Sequence, residues 1–442
     1  MKRGRKRNGE TVKMSNISTA NNFLSFVKKC PSAFHTVDTA RERLIENGYT
    51  ELFEGDEWEL SDGGKYFVTK NLSSIVAFRY NAKGEGFTVT ASHSDFPSFR
   101  VKPSGADNGG KYTRLSTERY GGMINYSWLD RPLSVAGRVV VKEGDSLVQR
   151  LVNVDKDLLV IPSVAIHLNR TVNEKFCANP AIDLIPLMGN ADCSGFGDIL
   201  AKALGVSAED IVSHDLFLYV RDEGKVFGID GEFIVSPRID NLASAFGTLE
   251  AFLTSSEKNT TPVFAVFDNE EVGSDTKQGA ASHFFSDILE RVAGGGKELS
   301  KAIAKSFMVS VDNAHAIHPN HPELSDVNNA PVMNKGVAIK YNANQKYTTD
   351  SVSAAIFKTV AERCGESVQA FANRSDMPGG STLGSIANTK FSVATVDVGI
   401  PQIAMHSAVE VAGVKDLESL VNILRELYSS EIVFDKRTIS VK

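Results

Sequence analysis

The chain has 442 residues, a formal net charge of −6, and 42% hydrophobic and 23% charged residues. That balance gives no footing for general nucleic-acid affinity, and no apolar run is long enough to span a bilayer. The length favours two domains, because single cores stop growing well below it.

The first segment, MKRGRKRNGETVK, is basic and polar. It has no apolar stretch of the kind a secretory signal needs, so residues 1–15 read as a disordered basic tail. Helical spacing follows from Asn21 to Lys29 and from Thr36 to Asn47, with Gly48 as a stop. Ser73 to Arg79 and Phe87 to Ala91 read as strands, separated by a turn at Gly84 and Gly86. From Phe96 to Val235 the hydrophobic period is mostly two, in LSVAGRVVV, SLVQRLVNV, KDLLVIPSVAIHL, HDLFLYV, KVFGI and EFIVS. A helix from Asp198 to Leu204 interrupts these runs. After Asp240, helical segments alternate with buried strands again. The expected architecture is α/β: a doubly wound domain of residues 16–95 and 236–442, split by an inserted β-rich domain of residues 96–235. Cys30, Cys177, Cys193 and Cys364 are widely spaced without a CxxC pattern. They predict reduced thiols and a cytoplasmic protein.

Polar motifs recur directly after the strand-like runs. GFTVTAS leads into His93 and Asp95, TPVFAVF into Asp268, Glu270 and Glu271, SFMVSV into Asp312, and FSVATVDVGIPQIAM into His406. A fifth motif, Ser236-Pro237-Arg238-Ile239-Asp240-Asn241, follows EFIV. Ligands bind at the carboxyl edge of open α/β sheets. Two histidines and several carboxylates at that edge match the ligand set of a two-metal site, of the kind found in aminopeptidases. Three acids within four residues, Asp268 to Glu271, repel one another unless a cation or protonation relieves them. His93 and Asp95 stand two apart, so in an extended segment both face one way and Asp95 can support the histidine. Each motif also has a plainer reading. His93-Ser94-Asp95 could be a capped surface turn, Asp240 a helix cap, and the acidic cluster a solvated loop. Spacing leaves open the roles of His315, His318 and His321, and of the Gly/Pro turn from Arg374 to Thr382.

Eight strings in this chain together resemble the aspartyl aminopeptidase family of dinuclear zinc peptidases. They are SHSDFPSFRVKP, YGGMINYSWLDRPLSVAGRV, SPRIDNLASAF, FDNEEVGS, VDNAHAIHPN, KYNANQKYTTD, RSDMPGGSTLGSIANT and VGIPQIAMHS, in the family's order. The resemblance implies two divalent ions, zinc before manganese or cobalt. His93, Asp240 and Asp312 would hold one, and Asp240, Glu271 and His406 the other, with Asp240 as the bridge. It implies Glu270 as general base and Asp95 as the partner of His93. His167, His315, Lys340 and Tyr347 would contact substrate, with His167 reaching in from a neighbouring subunit of a dodecamer assembled through the inserted domain. Ser94, Phe96, Ser98, Phe99 and Val409 depart from the family's usual residues, which bears on substrate preference rather than on the ligands.

The expected function is hydrolysis of the N-terminal residue of peptides by metal-activated water with Glu270 as base. Lys340 would supply the cation for an acidic first side chain, giving a preference for Asp or Glu. The alternatives are a related two-metal amidohydrolase of the N-acyl-amino-acid deacylase type and a non-catalytic assembly or cargo protein on the same fold. A nucleic-acid role would rest on the basic tail alone. The expected partners are peptides and copies of the same chain, with no nucleic acid and no membrane.

Overall fold

The computed structural model describes residues 16–106, 110–256 and 258–442 throughout. The side chains of residues 1–15 lie outside that set, and with them the expectation of a disordered basic tail. The chain begins with helices α1 (Lys2–Lys29) and α2 (Ala33–Glu46). The Ser32 hydroxyl accepts from the His35 amide at the start of α2. Gly48 ends it at φ +81°, a left-handed conformation that only glycine adopts without steric cost. Strands β1 (Thr50–Leu52), β2 (Lys65–Lys70), β3 (Ser74–Arg79) and β4 (Phe87–His93) follow.

The inserted segment then forms β5 (Ser98–Asn108), β6 (Tyr112–Tyr120), β7 (Leu133–Glu143), β8 (Ser146–Asn153), β9 (Leu187–Asn190), α3 (Phe196–Leu204) and β10 (Ile211–Val220). Six of these make one antiparallel sheet in the order β8-β7-β10-β5-β6-β9. Its core holds Phe99, Trp128, Leu133, Val135, Leu216 and Leu218, with Phe196 and Leu200 of α3 covering it.

Two expectations for this segment need correction. KDLLVIPSVAIHL is not a strand. Only isolated bridges form, Leu159 with Leu133, Val160 with Leu187 and Ile161 with Leu129. Leu159 and Ile161 reach the core, Pro162 has no N–H to donate, and the chain beyond it is exposed turn. In addition, β11 (Lys225–Phe227) and β12 (Phe233–Ser236) do not join the six-stranded sheet.

The remainder supplies α4 (Ile239–Thr254), β13 (Thr261–Phe267), α5 (Phe284–Ala293), α6 (Gly296–Ile303), β14 (Phe307–Val311), β15 (Ala314–His315), β16 (Val337–Tyr341), α7 (Ser351–Arg363), β17 (Val368–Ala372), α8 (Leu383–Asn388), β18 (Ala394–Gly399), β19 (Pro401–Ile403), β20 (Glu410–Gly413) and α9 (Val414–Tyr428). A nine-stranded sheet runs β1-β2-β3-β13-β4-β14-β18-β16-β17. A five-stranded sheet, β11-β12-β20-β19-β15, braces its carboxyl edge. Both faces of the large sheet are covered, as β13 shows. Phe264 and Val266 pack with α1, α4 and α9, while Val263, Ala265 and Phe267 pack with α5 and α8.

Strands β13, β4, β14 and β18 are parallel neighbours. The chain reaches β13 through α4 on one face of β4 and reaches β14 through α5 and α6 on the other. The winding therefore reverses at β4 and opens a crevice at its carboxyl end. Register aligns His93 with Phe267, so the residues after β4 and β13 emerge side by side. Among the described residues no helix is long and apolar enough to cross a membrane. All four cysteines are free, Cys30 buried and Cys177 and Cys193 exposed.

Candidate metal centre

His93, Glu270, Glu271 and Asp312 stand at or just beyond the ends of β4, β13 and β14. Asp240 is set at the start of α4, and His406 follows β19 at φ +64°. The structure brings all six together. Among the described residues, three groups have ligand atoms within 4.8 Å of one another: His93 with Asp240 and Asp312, Asp240 with Glu271 and His406, and His93 with Glu270 and Glu271. His93 Nε2 lies 3.6 Å from Asp240 Oδ1 and 3.7 Å from Asp312 Oδ1. His406 Nε2 lies 3.3 Å from Asp240 Oδ2 and 3.4 Å from Glu271 Oε2. One oxygen of Asp240 thus faces each histidine.

These contacts fit a pair of cations better than a set of hydrogen bonds. His93 Nδ1 is 3.1 Å from the Asp95 carbonyl and 3.3 Å from Asp95 Oδ1. His406 Nδ1 is 2.6 Å from the Gly122 carbonyl. Each histidine therefore donates through Nδ1, and a neutral ring turns its Nε2 lone pair toward carboxylates. A cation between them relieves that repulsion. Tetrahedral zinc with bonds near 2.0–2.1 Å places its ligand atoms roughly 3.3 Å apart, close to the spacings here. Asp240 Oδ1 and Glu271 Oε1 are buried without a hydrogen-bond partner, as ligands awaiting a metal would be.

The electrostatics agree. Burial pushes the Glu271 carboxyl well above its ordinary value, with Asp240 adding to the effect. Burial raises Glu270 to about 8, opposed by His93 and reinforced by Asp312. Burial opposes protonation of His406, yet the Asp240 and Glu271 carboxylates lift it to about 10. His93 is likewise held well above the ordinary range, because Asp312 and Asp95 outweigh its burial. Each shift has the same cause, negative charge crowded into a buried site, which a divalent cation would also relieve.

Asp95 is the hub behind these ligands. It accepts from the amides of Glu270 at 3.1 Å and Glu271 at 3.2 Å and from the Tyr120 hydroxyl at 2.6 Å. A second hub is Glu410, which sequence reasoning missed. Its two oxygens accept from the amides of His406 at 2.8 Å and Asp240 at 2.9 Å. Burial and the Asp240 charge raise it to about 8. The available signal was one acid inside the otherwise apolar run AVEVAG.

The expected substrate contacts divide. Tyr347 is buried, and its ring lies 4.8 Å from the Lys340 ammonium. His315, on β15, packs against Phe371 at 6.0 Å, its residue surface partly open while the ring itself is covered. Its proton affinity is lowered by burial of the ring and by nearby Lys340. His167 lies in the exposed turn after Pro162 and joins none of the three ligand groups. Lys340 is held from within the fold. Its ammonium donates to Asp312 Oδ2, the Asp312 carbonyl and the Asn313 carbonyl, each at 3.1 Å. An ammonium has three protons, and these three acceptors occupy them. Although burial opposes it, the Lys340 charge holds Asp312 well below the usual carboxylate range. Phe99 is buried against Trp128 in the inserted sheet. Phe96 stacks on the Arg238 guanidinium. Asp376 is paired with Arg374 at 2.7 Å on the surface, and the His318 and His321 rings lie 5.3 Å apart.

The family model for aminopeptidase I zinc metalloproteases (M18) matches residues 26–428. The chain is 42% identical over 429 residues to a probable M18 family aminopeptidase 2 of Clostridium novyi (strain NT), covering 93% of this chain and 99% of that protein. It is 37% identical over 449 residues to aspartyl aminopeptidase 1 of Schizosaccharomyces pombe, covering 93% and 95%. Among solved structures, the mApe1 dodecamer of S. cerevisiae superposes with a TM-score of 0.82 at 27% identity, covering 92% of this chain and 96% of that one. The chain belongs to the M18 family of zinc aminopeptidases, enzymes that hydrolyse peptides.

Proposed function

We propose that the crevice at the end of β4 holds two divalent ions, most simply zinc, and removes the N-terminal residue of peptides with a preference for Asp or Glu. The carrying observation is the Asp240 carboxylate, with one oxygen toward His93 and Asp312 and the other toward His406 and Glu271. When bound, the ions would acidify water and polarise the scissile carbonyl. His93, Asp240 and Asp312 would hold one ion and Asp240, Glu271 and His406 the other.

The chain's own groups do the rest. Glu270, beside His93 and Glu271, takes a proton from the attacking water and delivers it to the departing amine. Asp95 holds Glu270 by its backbone amide, so the base cannot drift from the ligands. Lys340 fixes Asp312, and Tyr347 covers Lys340. The acidic preference is supported by likeness to an aspartyl aminopeptidase, not by a free cation at Lys340.

We further propose that residues 96–235 mediate assembly into a dodecamer in which His167 completes a neighbouring site. This is supported by likeness to a dodecameric structure and by the exposure of His167. Chelated protein reloaded with zinc, manganese or cobalt and offered Asp-, Glu-, Leu- and Ala-chromogenic amides tests the function. Fastest release from Asp or Glu substrates is expected. Preference for Leu would remove the acidic half of the proposal. Activity on N-acylated substrates would favour a deacylase.

A further inference from the structure

We propose that Tyr120-Gly121-Gly122, where β6 of the inserted sheet ends, is a strap that positions both metal-binding histidines although it supplies no ligand. This rests on the two-metal reading above. One arm of the strap is the Tyr120 hydroxyl. It donates to Asp95 Oδ2 at 2.6 Å and accepts from Asn269 Nδ2 at 2.8 Å. With the Glu270 and Glu271 amides, the Asp95 carboxylate accepts three hydrogen bonds, while its backbone carbonyl lies 3.1 Å from His93 Nδ1. Three donors from two directions hold the Asp95 carboxylate in place, and His93 and the acidic loop are oriented by it.

The other arm is the Gly122 carbonyl, 2.6 Å from His406 Nδ1. The Ile124 amide adds a 3.0 Å bond to the His406 carbonyl. Between the arms, Gly121 sits at φ +75°, and a Cβ there would lie 3.1 Å from the Glu271 Cβ. The strap therefore lies directly against a proposed ligand of the second ion. Its own position is set by the inserted sheet, in which Tyr120 pairs with Ser98 of β5, and the Tyr120 ring also touches Phe217 of β10 edge-on at 5.3 Å. The insertion thus reaches both ions through groups that orient their ligands. Loss of such partners typically costs about 10–100-fold in metal affinity or activity.

The test is zinc competition against a chromogenic chelator, with kcat and KM from the same preparations. Tyr120→Phe should bind zinc about 10–100-fold more weakly and lose kcat more than KM. Gly121→Ala should weaken zinc by displacing Glu271, and it serves as the second variant if Tyr120→Phe does not fold. Phe217→Leu keeps the hydroxyl and alters only the packing, so its zinc affinity should stay within a few-fold of wild type. Wild-type affinity in Tyr120→Phe, or an equal loss in Phe217→Leu, would overturn the strap. A wild-type chain that takes up no zinc would instead overturn the two-metal reading, and the strap with it.

Discussion

The α/β frame and the inserted sheet solve different problems with different means. In the frame, both faces of a nine-stranded sheet are covered by helices, and every proposed ligand comes from a strand end or the start of α4. Buried strands on both sides make those ends rigid, which is what a site needs when its geometry must hold to within fractions of an ångström. The insertion has one sheet, one covering helix and a long turn segment after Pro162. That segment leaves apolar side chains in water: Leu168 is 83% exposed and Ile182 71%. Exposed apolar groups of this size mark contact surfaces when they cluster. On the proposed reading, the frame carries the chemistry, while the insertion offers exposed apolar side chains to a neighbouring copy and holds the candidate ligands from behind.

The sharpest way to break this contrast is at the base. Glu270→Gln should retain fold and metal and lose roughly 10²–10⁴-fold in turnover. Near wild-type turnover with metal still present would remove Glu270 from the mechanism. Next in size is Lys340→Met. Lys340 is 3% exposed and saturated by Asp312 and Asn313, so its removal strands a buried carboxylate. Breaking such a pair costs about 3–5 kcal/mol. Denaturation of the metal-free protein should show that loss, and the ratio of Asp to Leu hydrolysis should not change. A selective loss on acidic substrates would instead restore Lys340 as a specificity residue.

The insertion can be probed in the same way. Leu168→Asp combined with Ile182→Asp should dissociate the assembly, with activity falling in step. Light scattering and assay on one dilution series read both. A fully active monomer would contradict the shared role of His167. The smallest expected effect lies in the frame, at His35. Burial lowers its proton affinity to about 4 from the ordinary 6.5. Between those values the unfolded chain binds a proton that the folded chain refuses. The His35 contribution is thus intact above pH 6.5 and is lost as pH falls toward 4. His35→Gln should flatten the decline in unfolding free energy between pH 7 and 5. An unchanged slope would mean His35 is protonated in the fold.

How much of this was legible in the sequence follows the same division. Apolar runs ending abruptly in acids and histidines announced the strand ends, because a buried strand can deliver a charge only at its edge. That reading reached His93, Glu270, Glu271, Asp312 and His406, all of which the structure draws together. It did not reach Tyr120 or Gly122, which arrive from a different sheet, nor Glu410, whose partners are backbone amides. It did not show the carbonyls that take the protons of Lys340, because sequence gives only a lysine in a strand. KDLLVIPSVAIHL has the apolar content of a strand, yet only Leu159 and Ile161 find a core. Periodicity shows which residues can be buried, and the fold decides which have something to be buried against.

The central claim is that Asp240 bridges two ions. Elemental analysis of zinc-reloaded protein tests it most directly. The wild-type chain should carry two ions, and Asp240→Ala should lose both at the same free zinc, because one carboxylate serves both sites. An Asp240→Ala chain that retains one full equivalent of zinc would contradict the bridge.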